Sequence, residues 1–125
     1  MKRTRGITLL ELLVTMVVIG VLASLAWPSY QSWMTKGRRS EAIGHLLSAQ
    51  LKQEALRVTS GAYSTDFSQL GGDSTDHYTY SASVSGSTYT LTAQPKSTSP
   101  QRFDTDCTSL TINQSDTKTP DTCWK

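Results

Sequence analysis

A long uncharged stretch near the N-terminus constrains the fold of this chain more than any other feature. No charged side chain occurs between Glu11 and Lys36, and residues 12–26 are mostly Leu, Val, Ile, Met and Ala. A helix needs about 20 mostly apolar residues to cross the hydrocarbon core of a bilayer. Residues 7–27 meet this requirement, so the sequence predicts one helix of membrane-spanning length.

The flanks of this stretch indicate its orientation and draw attention to one acid. Lys2, Arg3 and Arg5 precede the apolar run, and basic flanks stay on the cytoplasmic side of the membrane. Glu11 lies inside the run, where a carboxylate costs a few kcal/mol even on lenient insertion scales. The residues alone leave two interpretations open: a signal anchor with an interfacial Glu11, or a segment in which Glu11 has a cationic partner.

The segment Gly6-Ile7-Thr8-Leu9-Leu10-Glu11-Leu12 resembles the class III signal of type IV prepilins. In that family a short basic leader ends in Gly, a Glu is fifth after the cleavage site, and Phe is usual where this chain has Ile7. The resemblance implies that prepilin peptidase cuts after Gly6 and methylates the amine of Ile7. It also implies that Glu11 acts in filament assembly.

Pro28 is a second candidate assembly residue. Pro28-Ser29-Tyr30 matches a segment that is frequent in type IV pilins. Proline removes a backbone donor and its ring crowds the preceding turn, so we expect a kink or a loosened helix at this point.

The helical pattern resumes after Pro28 and ends at Thr59-Ser60-Gly61, a helix-stop sequence. Its apolar or neutral positions recur at three- and four-residue spacing, and most charged side chains occupy other faces. These positions are Ala42, Ile43, Leu46, Leu47, Gln50, Leu51, Ala55 and Val58. The pattern predicts a stripe that packs against a globular head.

The pattern changes to the alternation of β-strands beyond residue 76. Two alternating segments, 77–84 and 88–93, flank the turn Ser85-Gly86-Ser87, which is typical of a β-hairpin. Residues 108–113 predict a third strand, and residues 113–122 predict a loop. The expected fold class is α+β, with a long N-terminal helix packed on a small antiparallel sheet. This is also the architecture that the pilin resemblance implies.

The charge balance does not indicate a general nucleic-acid surface. The chain has 12 Lys and Arg against 10 Asp and Glu, and removal of the leader takes away three of the basic residues. Beyond Arg57, four basic side chains face seven acidic ones, whereas a nucleic-acid surface has clustered Lys and Arg. DNA therefore stays a candidate partner that charge does not support. The candidate ligand contacts are the four basic residues beyond Arg57, either grouped at one tip or separately solvated: Lys96, Arg102, Lys118 and Lys125.

The only cysteines are Cys107 and Cys123. In a small exported domain such a pair is typical of a disulfide, and buried thiols or half of a metal site are the alternatives. Zinc is disfavoured because no His or second Cys pair lies nearby in the sequence. We expect a bond, which the chain-entropy model values at about 3 kcal/mol for a loop of this size.

The C-terminal region carries a second resemblance. Phe103-Asp104-x-Asp106-Cys107-x-x-Leu110-Thr111-Ile112, followed by Cys123-Trp124, resembles the tail of PilE-type minor pilins. Arg38-Arg39-Ser40-Glu41-Ala42 and Gly61-x-Tyr63 resemble other parts of the same proteins. The resemblance implies a disulfide-bounded C-terminal loop that serves subunit contacts or binding.

Four parts of the chain follow from these patterns. We expect a leader at residues 1–6, a transmembrane and filament-core helix at 7–28, and the amphipathic half of the helix at 29–60. The head, with its disulfide-bounded loop, occupies residues 61–125.

No motif indicates catalysis, a metal or a cofactor. His45 and His77 are isolated in the sequence, and no nucleophile motif or Gly-rich phosphate loop occurs. The acids of the tail lack the spacing of a calcium-binding EF-hand loop. We therefore expect a protein that is not an enzyme and has neither metal nor cofactor.

The two resemblances imply a structural subunit of a type IV pilus, most consistent with a minor pilin. Its expected partners are other pilin subunits, prepilin peptidase, the bacterial inner membrane and the pilus assembly machinery. The filament would serve adhesion, twitching motility or DNA uptake on the cell surface. A pseudopilin of a type II secretion system, and an adhesin or DNA-binding pilin at the filament tip, are the alternatives.

Overall fold

The computed structural model describes residues 5–125, so Lys2 and Arg3 of the predicted leader lie outside the described residues. The chain forms two compact units, Met1–Met34 and Thr35–Lys125, referred to below as the N-terminal unit and the head unit. The helix and the strands are α1 (Leu9–Ser60), β1 (Tyr78–Ser85), β2 (Thr88–Pro95), β3 (Leu110–Asn113) and β4 (Lys118–Thr119). Short 3-10 turns lie at Phe67–Leu70, Pro100–Phe103, Thr105–Cys107 and Asp121–Trp124.

Within the N-terminal unit, α1 begins at Leu9 and exposes its apolar side chains. Thr8 satisfies two donors of the first turn, because its hydroxyl accepts from the Glu11 amide at 3.2 Å and its carbonyl from the Leu12 amide at 3.1 Å. An 18-residue window of α1 reaches a mean hydropathy of 2.5 with no residue buried. Among the described residues, α1 alone is long and apolar enough to cross a membrane. Pro28 lies inside α1, and the helix continues past it.

The helix ends at the predicted stop. The last helical residue is Ser60, and the Gly61 amide donates to the Arg57 carbonyl at 3.0 Å. Gly61 has φ 78, a left-handed conformation that glycine adopts without steric cost. The sequence-based placement of the helix end is therefore confirmed.

The head unit contains one antiparallel sheet with the strand order β1-β2-β3-β4. The predicted hairpin pairs Tyr80 with Ala93, and the predicted third strand pairs Ile112 with Leu91. The prediction of a loop throughout residues 113–122 was wrong, because β4 pairs Lys118 with Ile112. Two residues are too short to show a strand alternation, and their pairing depends on the neighbouring strand.

The core of the head unit lies between α1 and one face of the sheet. Buried helix residues recur at three- and four-residue spacing and meet the inward residues of the strands and of the turn Phe67–Leu70. The buried residues on α1 are Ala42, Leu46, Ala49 and Gln53, and those beyond it are Phe67, Leu70, Tyr78, Tyr80, Tyr89, Leu91, Ala93, Cys107, Leu110, Ile112 and Cys123.

The predicted helix stripe was only partly correct. Ala42 and Leu46 are buried as expected, but Leu51 is 74% exposed and Val58 is 86% exposed. The row Ala42, Leu46, Ala49 and Gln53 faces the sheet, and Leu51 and Val58 lie on the opposite side of the helix. The apolar residues therefore form two helix faces, of which one packs on the sheet.

Polar contacts connect the end of α1 to β2. The Tyr89 hydroxyl donates to Glu54 Oε1 at 3.0 Å, and the Tyr63 ring meets the Tyr89 ring edge-on with centroids 4.6 Å apart. Burial, together with the neighbouring Glu54 carboxylate, holds the pKa of Tyr89 well above its usual value. The hydroxyl therefore stays protonated and keeps donating throughout the physiological pH range.

A disulfide joins Cys107 to Cys123, as the sequence predicted. Both residues are buried, and the bond connects the turn Thr105–Cys107 to the turn Asp121–Trp124. The segment between them contributes Leu110 and Ile112 to the core. The bond therefore holds both ends of a short segment that supplies few core residues.

Cys123→Ser is expected to lower the free energy of unfolding by about 3 kcal/mol, because the unfolded chain regains the entropy of an open loop. Urea unfolding of the full chain in a non-ionic detergent, followed by near-ultraviolet circular dichroism, measures the change. Cys107→Ser with Cys123→Ser together, and the wild-type chain under dithiothreitol, should show the same decrease. An unchanged unfolding midpoint in all three samples would contradict the expected contribution of the bond.

Candidate functional site

The predicted processing site lies just before the start of α1. Arg5, Gly6 and Ile7 are exposed and precede the first helical residue, Leu9, and Ile7 is 76% exposed. The Gly6–Ile7 peptide bond is therefore outside the helical hydrogen-bond pattern. This geometry leaves the bond accessible to a peptidase.

Glu11 lies in the first turn of α1 with an exposed side chain. Its backbone is bonded on both sides, since the amide donates to Thr8 and the carbonyl accepts from the Thr15 hydroxyl at 2.7 Å. Among residues 5–125, no basic side chain forms an ion pair with the Glu11 carboxylate. The acid therefore projects from an apolar helix without a charged partner in the described part of its own chain.

In the head unit, a short polar turn follows β2 at residues 99–104, and we refer to it as the anchored turn. Ser99 caps it, because its hydroxyl accepts from the Gln101 amide at 3.1 Å and shares a hydrogen bond with His77 Nδ1 at 2.8 Å. Gln101 is fully buried, and its side-chain amide donates to the Thr35 carbonyl at 3.1 Å. These contacts connect the turn to α1 and to His77, the residue that directly precedes β1.

A buried ion pair completes the connection to α1. Arg39 donates to both oxygens of Asp104, at 2.9 Å from Nε and 2.6 Å from Nη2. The two side chains are only 17% and 8% exposed, and bidentate pairs of this type fix geometry as well as charge. The Gln101 amide also donates to Asp104 at 3.2 Å. Next to this cluster, burial raises the pKa of Tyr78 to about 12.

Between these anchors, Arg102 and Phe103 project outwards. Phe103 is 70% exposed, and the Arg102 guanidinium carbon lies 4.6 Å from the centroid of its ring. Arg102 Nη1 donates to the Ser97 carbonyl at 2.6 Å. The turn therefore holds a stacked pair of one cation and one aromatic ring at the surface.

The four candidate ligand contacts fall into two pairs. Arg102 bonds to Ser97, directly after Lys96, whereas Lys118 lies 5.9 Å from the centroid of Trp124, next to Lys125. Lys118 pairs with Ile112 on β3, and Ile112 pairs with Leu91 on β2. Lys96 follows Leu91 by five residues, which corresponds to roughly 16 Å along the strand direction. The strand register therefore separates the two pairs along the sheet.

The pairs also differ in their acidic neighbours. Lys118 lies 3.0 Å from Asp116, and Lys125 lies 3.7 Å from Asp121. In the described part of the chain, neither Lys96 nor Arg102 has an acidic side chain within ion-pair distance. The positive charge at the anchored turn is therefore less compensated than the charge near Trp124.

Sequence reasoning missed the anchors of the turn. Arg39 and Asp104 were considered only within a family resemblance and among the charged residues, with no pairing predicted between them, and Ser99 and Gln101 were not singled out. One local pattern was available, because Ser before Pro at the first position of a turn is a common capping arrangement. No spacing rule connects Arg39 with a residue 65 positions away.

The described residues include no group of three or more His, Cys, Asp and Glu side chains that could hold a metal ion. Both cysteines are used in the disulfide. His45 packs between aromatic rings, 4.2 Å from Tyr80 between centroids, and its Nε2 lies 2.9 Å from the Gly72 carbonyl. His45 is therefore a packing residue in this structure.

Comparison with family models decides the identity of the chain. Residues 1–27 match the prokaryotic N-terminal methylation motif, and residues 28–111 match the family described as type IV minor pilin ComP, DNA uptake sequence receptor. The chain belongs to the ComP family. The resemblance to type IV minor pilins is therefore confirmed, and the ComP match includes Arg39 and the whole anchored turn.

Individual relatives of this ComP-family pilin include pilins and a secretion protein. It is 33% identical to fimbrial protein Q of Moraxella bovis over 55 residues, which cover 44% of this chain and 35% of that protein. It is 34% identical to fimbrial protein EcpB of Eikenella corrodens over 71 residues, covering 57% and 45%. It is 31% identical to type II secretion system core protein G of Dickeya chrysanthemi over 70 residues, covering 56% and 46%. The ComP-family chain thus spans less than half the length of these curated relatives.

Proposed function

We propose that this ComP-family pilin is a processed, non-enzymatic minor subunit of a type IV pilus and that its head binds duplex DNA. The match of residues 28–111 to a family described as a DNA uptake sequence receptor carries the proposal. The proposed course is insertion in the bacterial inner membrane, cleavage by prepilin peptidase, and entry into a cell-surface filament through the pilus assembly machinery. The proposal includes the four parts predicted from the sequence: a leader at residues 1–6, a filament-core helix at 7–28, an amphipathic half-helix at 29–60 and a head at 61–125.

The N-terminal unit supports the assembly part of this proposal. Its apolar side chains are exposed, so they need lipid or the helices of neighbouring pilin subunits around them. Transfer from the bilayer to a filament core exchanges one apolar environment for another and leaves the head in water. Glu11 is then the residue whose surroundings change most, because it is the only ionised side chain within residues 7–35.

Processing gives a direct prediction. We expect cleavage between Gly6 and Ile7 and a methylated amine on Ile7, since Gly6 separates the basic leader from the apolar segment. Intact-mass measurement on protein extracted from membranes tests this. A mature chain that still begins at Met1, or one cut beyond Trp27, would overturn the assignment.

The charge of the head unit supports weak rather than strong electrostatic attraction to DNA. Residues 35–125 contain nine Lys and Arg and nine Asp and Glu. Two of the acids, Asp116 and Asp121, compensate Lys118 and Lys125, and Asp104 is compensated by Arg39. Among the four basic residues beyond Arg57, only Lys96 and Arg102 lack an acidic partner in the described residues, and we propose them as the principal DNA contacts, with Lys118 and Lys125 contributing less.

The double variant Lys96→Ala/Arg102→Ala is expected to weaken DNA binding and to flatten its salt dependence. Removing one phosphate-binding side chain should reduce the slope of log K against log salt concentration by about 0.9. Fluorescence anisotropy with a labelled duplex, at several salt concentrations, measures both quantities for the full chain in detergent. Lys118→Ala/Lys125→Ala is the matched control, because it removes two cations that acidic side chains already compensate, and it should change both quantities less. A tight, salt-insensitive complex would show that the charge argument is wrong.

A pseudopilin of a type II secretion system is the second candidate function. The similarity to core protein G of Dickeya chrysanthemi favours it. The two functions differ in what deletion of the gene abolishes. Loss of DNA uptake or pilus function with normal protein secretion supports the pilin, and the reverse result supports the pseudopilin.

A further inference from the structure

The anchored turn holds two exposed side chains unusually firmly for a surface connection. Ser99 and Gln101 are buried, and Asp104 is bound in the ion pair with Arg39. Pro100, Arg102 and Phe103 are the exposed residues of the segment, and of these Arg102 and Phe103 are adjacent and contact each other. A recognition element whose geometry is fixed before binding loses less conformational freedom on binding.

The exposed ring of Phe103 is a candidate contact for a binding partner. Among the aromatic side chains of the described head unit, only Phe103 is exposed, and the others are buried or half-buried. One face of the ring is covered by the Arg102 guanidinium. That guanidinium uses one donor on Ser97 and keeps the remaining N–H groups for another acceptor.

The chemistry of this pair fits the edges of two neighbouring base pairs. Arginine reads guanine through O6 and N7 in the major groove, and an apolar ring contacts the C5-methyl group of thymine. Successive bases on a strand are about 3.4 Å apart, and the guanidinium carbon lies 4.6 Å from the ring centroid. Phosphate contacts carry no sequence information directly, so recognition of a sequence depends on base contacts of this kind.

We propose that Arg102 and Phe103 form a base-reading pair, in which Arg102 donates to a guanine edge and Phe103 packs on the methyl group of an adjacent thymine. The proposal rests on the proposed DNA-binding function and adds the residues and the base step that confer specificity. It makes Phe103 a specificity residue that contributes no charge to the interaction.

The experiment uses the full processed chain in detergent and duplexes that it selects from a random-sequence pool. In the selected duplex, each thymine is replaced in turn by uracil, which removes only the methyl group, and each guanine by 7-deazaguanine, which removes N7. At one thymine of the duplex, replacement by uracil should weaken wild-type binding about fourfold, the equivalent of one buried methyl group. Replacement of the guanine next to that thymine by 7-deazaguanine should weaken binding about tenfold.

Variants then assign the contacts. Phe103→Ala should lose the penalty for uracil at that step and keep the penalty for deazaguanine, whereas Arg102→Ala should show the reverse. Phe103→Leu should retain part of the methyl dependence. Val58→Ala, which also shortens an exposed apolar side chain, is the control and should bind like the wild type.

The outcomes distinguish failure of the base-reading pair from failure of the proposed DNA-binding function. If the wild-type chain enriches no sequence and binds no duplex, the proposed DNA-binding function and the base-reading pair both fail. If it enriches a sequence but Phe103→Ala keeps every uracil penalty, the base-reading pair is wrong and DNA binding stands. If Phe103→Ala binds DNA normally but enters filaments poorly, the ring is a subunit contact and the inference is overturned.

Discussion

Arg39→Met is expected to lower the free energy of unfolding of the head by about 3–5 kcal/mol, the cost of leaving one partner of a buried ion pair alone. Asp104 would keep only the Gln101 amide as a donor in an environment where its side chain is 8% exposed. Methionine occupies a similar volume, so the change removes charge and donors more than packing. Urea unfolding of the full chain in a non-ionic detergent, followed by near-ultraviolet circular dichroism, gives the value.

Two further variants test whether burial of the pair is the cause. Lys118→Met removes one partner of the exposed pair with Asp116 and should cost only about 0–1 kcal/mol. Arg39→Met combined with Asp104→Leu removes both charges and should recover much of the stability, because no uncompensated charge stays buried. If Arg39→Met costs no more than Lys118→Met, the ion pair does not stabilise the head.

The same variant links stability to recognition. Within the described residues, Arg39 hydrogen-bonds to the turn through Asp104, and no base or phosphate contact is proposed for it. Loosening the turn should therefore weaken selection of the preferred duplex more than binding to random duplexes. A proportional decrease in affinity for both kinds of duplex would indicate general unfolding of the head instead.

Those parts of the fold that depend on local patterns were predictable from the sequence. The stop at Ser60-Gly61 rests on glycine conformation, and the hairpin rests on the alternation of residues around Gly86. Each of these patterns is complete within about ten residues. The disulfide was predictable for another reason, since only two cysteines were available to pair.

Features that depend on distant segments could not be derived in this way. Both Leu46 and Leu51 fit a helical stripe, but only the position of the sheet decides that Leu46 is buried and Leu51 is exposed. The ion pair of Arg39 with Asp104 spans 65 positions, and no periodicity relates them. The candidate ligand residues were chosen by charge, which identified Arg102 but gave no reason to consider the uncharged Phe103 beside it.

Glu11→Val is expected to leave membrane insertion and cleavage after Gly6 intact and to remove most of the pilin from assembled filaments. The carboxylate is exposed on an apolar helix and has no ion-pair partner in the described residues. Cleavage would convert the Ile7 amide into an amine one helical turn away from Glu11. In a filament the amine of a neighbouring subunit could reach the same carboxylate.

This pair would determine how one helix lies along the next. Leu and Val surfaces allow many longitudinal offsets of similar energy, whereas a carboxylate in a low-dielectric core is strongly destabilised wherever the amine is absent. One offset then differs from its alternatives by several kcal/mol, which is enough to select it. Valine has no charge to leave unpaired, so all longitudinal offsets of the helices become similar in energy and none is selected. The variant should therefore insert normally but assemble poorly.

Filaments sheared from cells that express the variant provide the measurement, with the membrane fraction as the reference for insertion and intact mass as the reference for cleavage. Ser24→Val is the matched control, because it also replaces a polar residue in the apolar segment but carries no charge, and its incorporation should be normal. Normal incorporation of Glu11→Val would show that the acid is an interfacial residue without a role in assembly. A defect in cleavage or insertion would place its role before the filament forms.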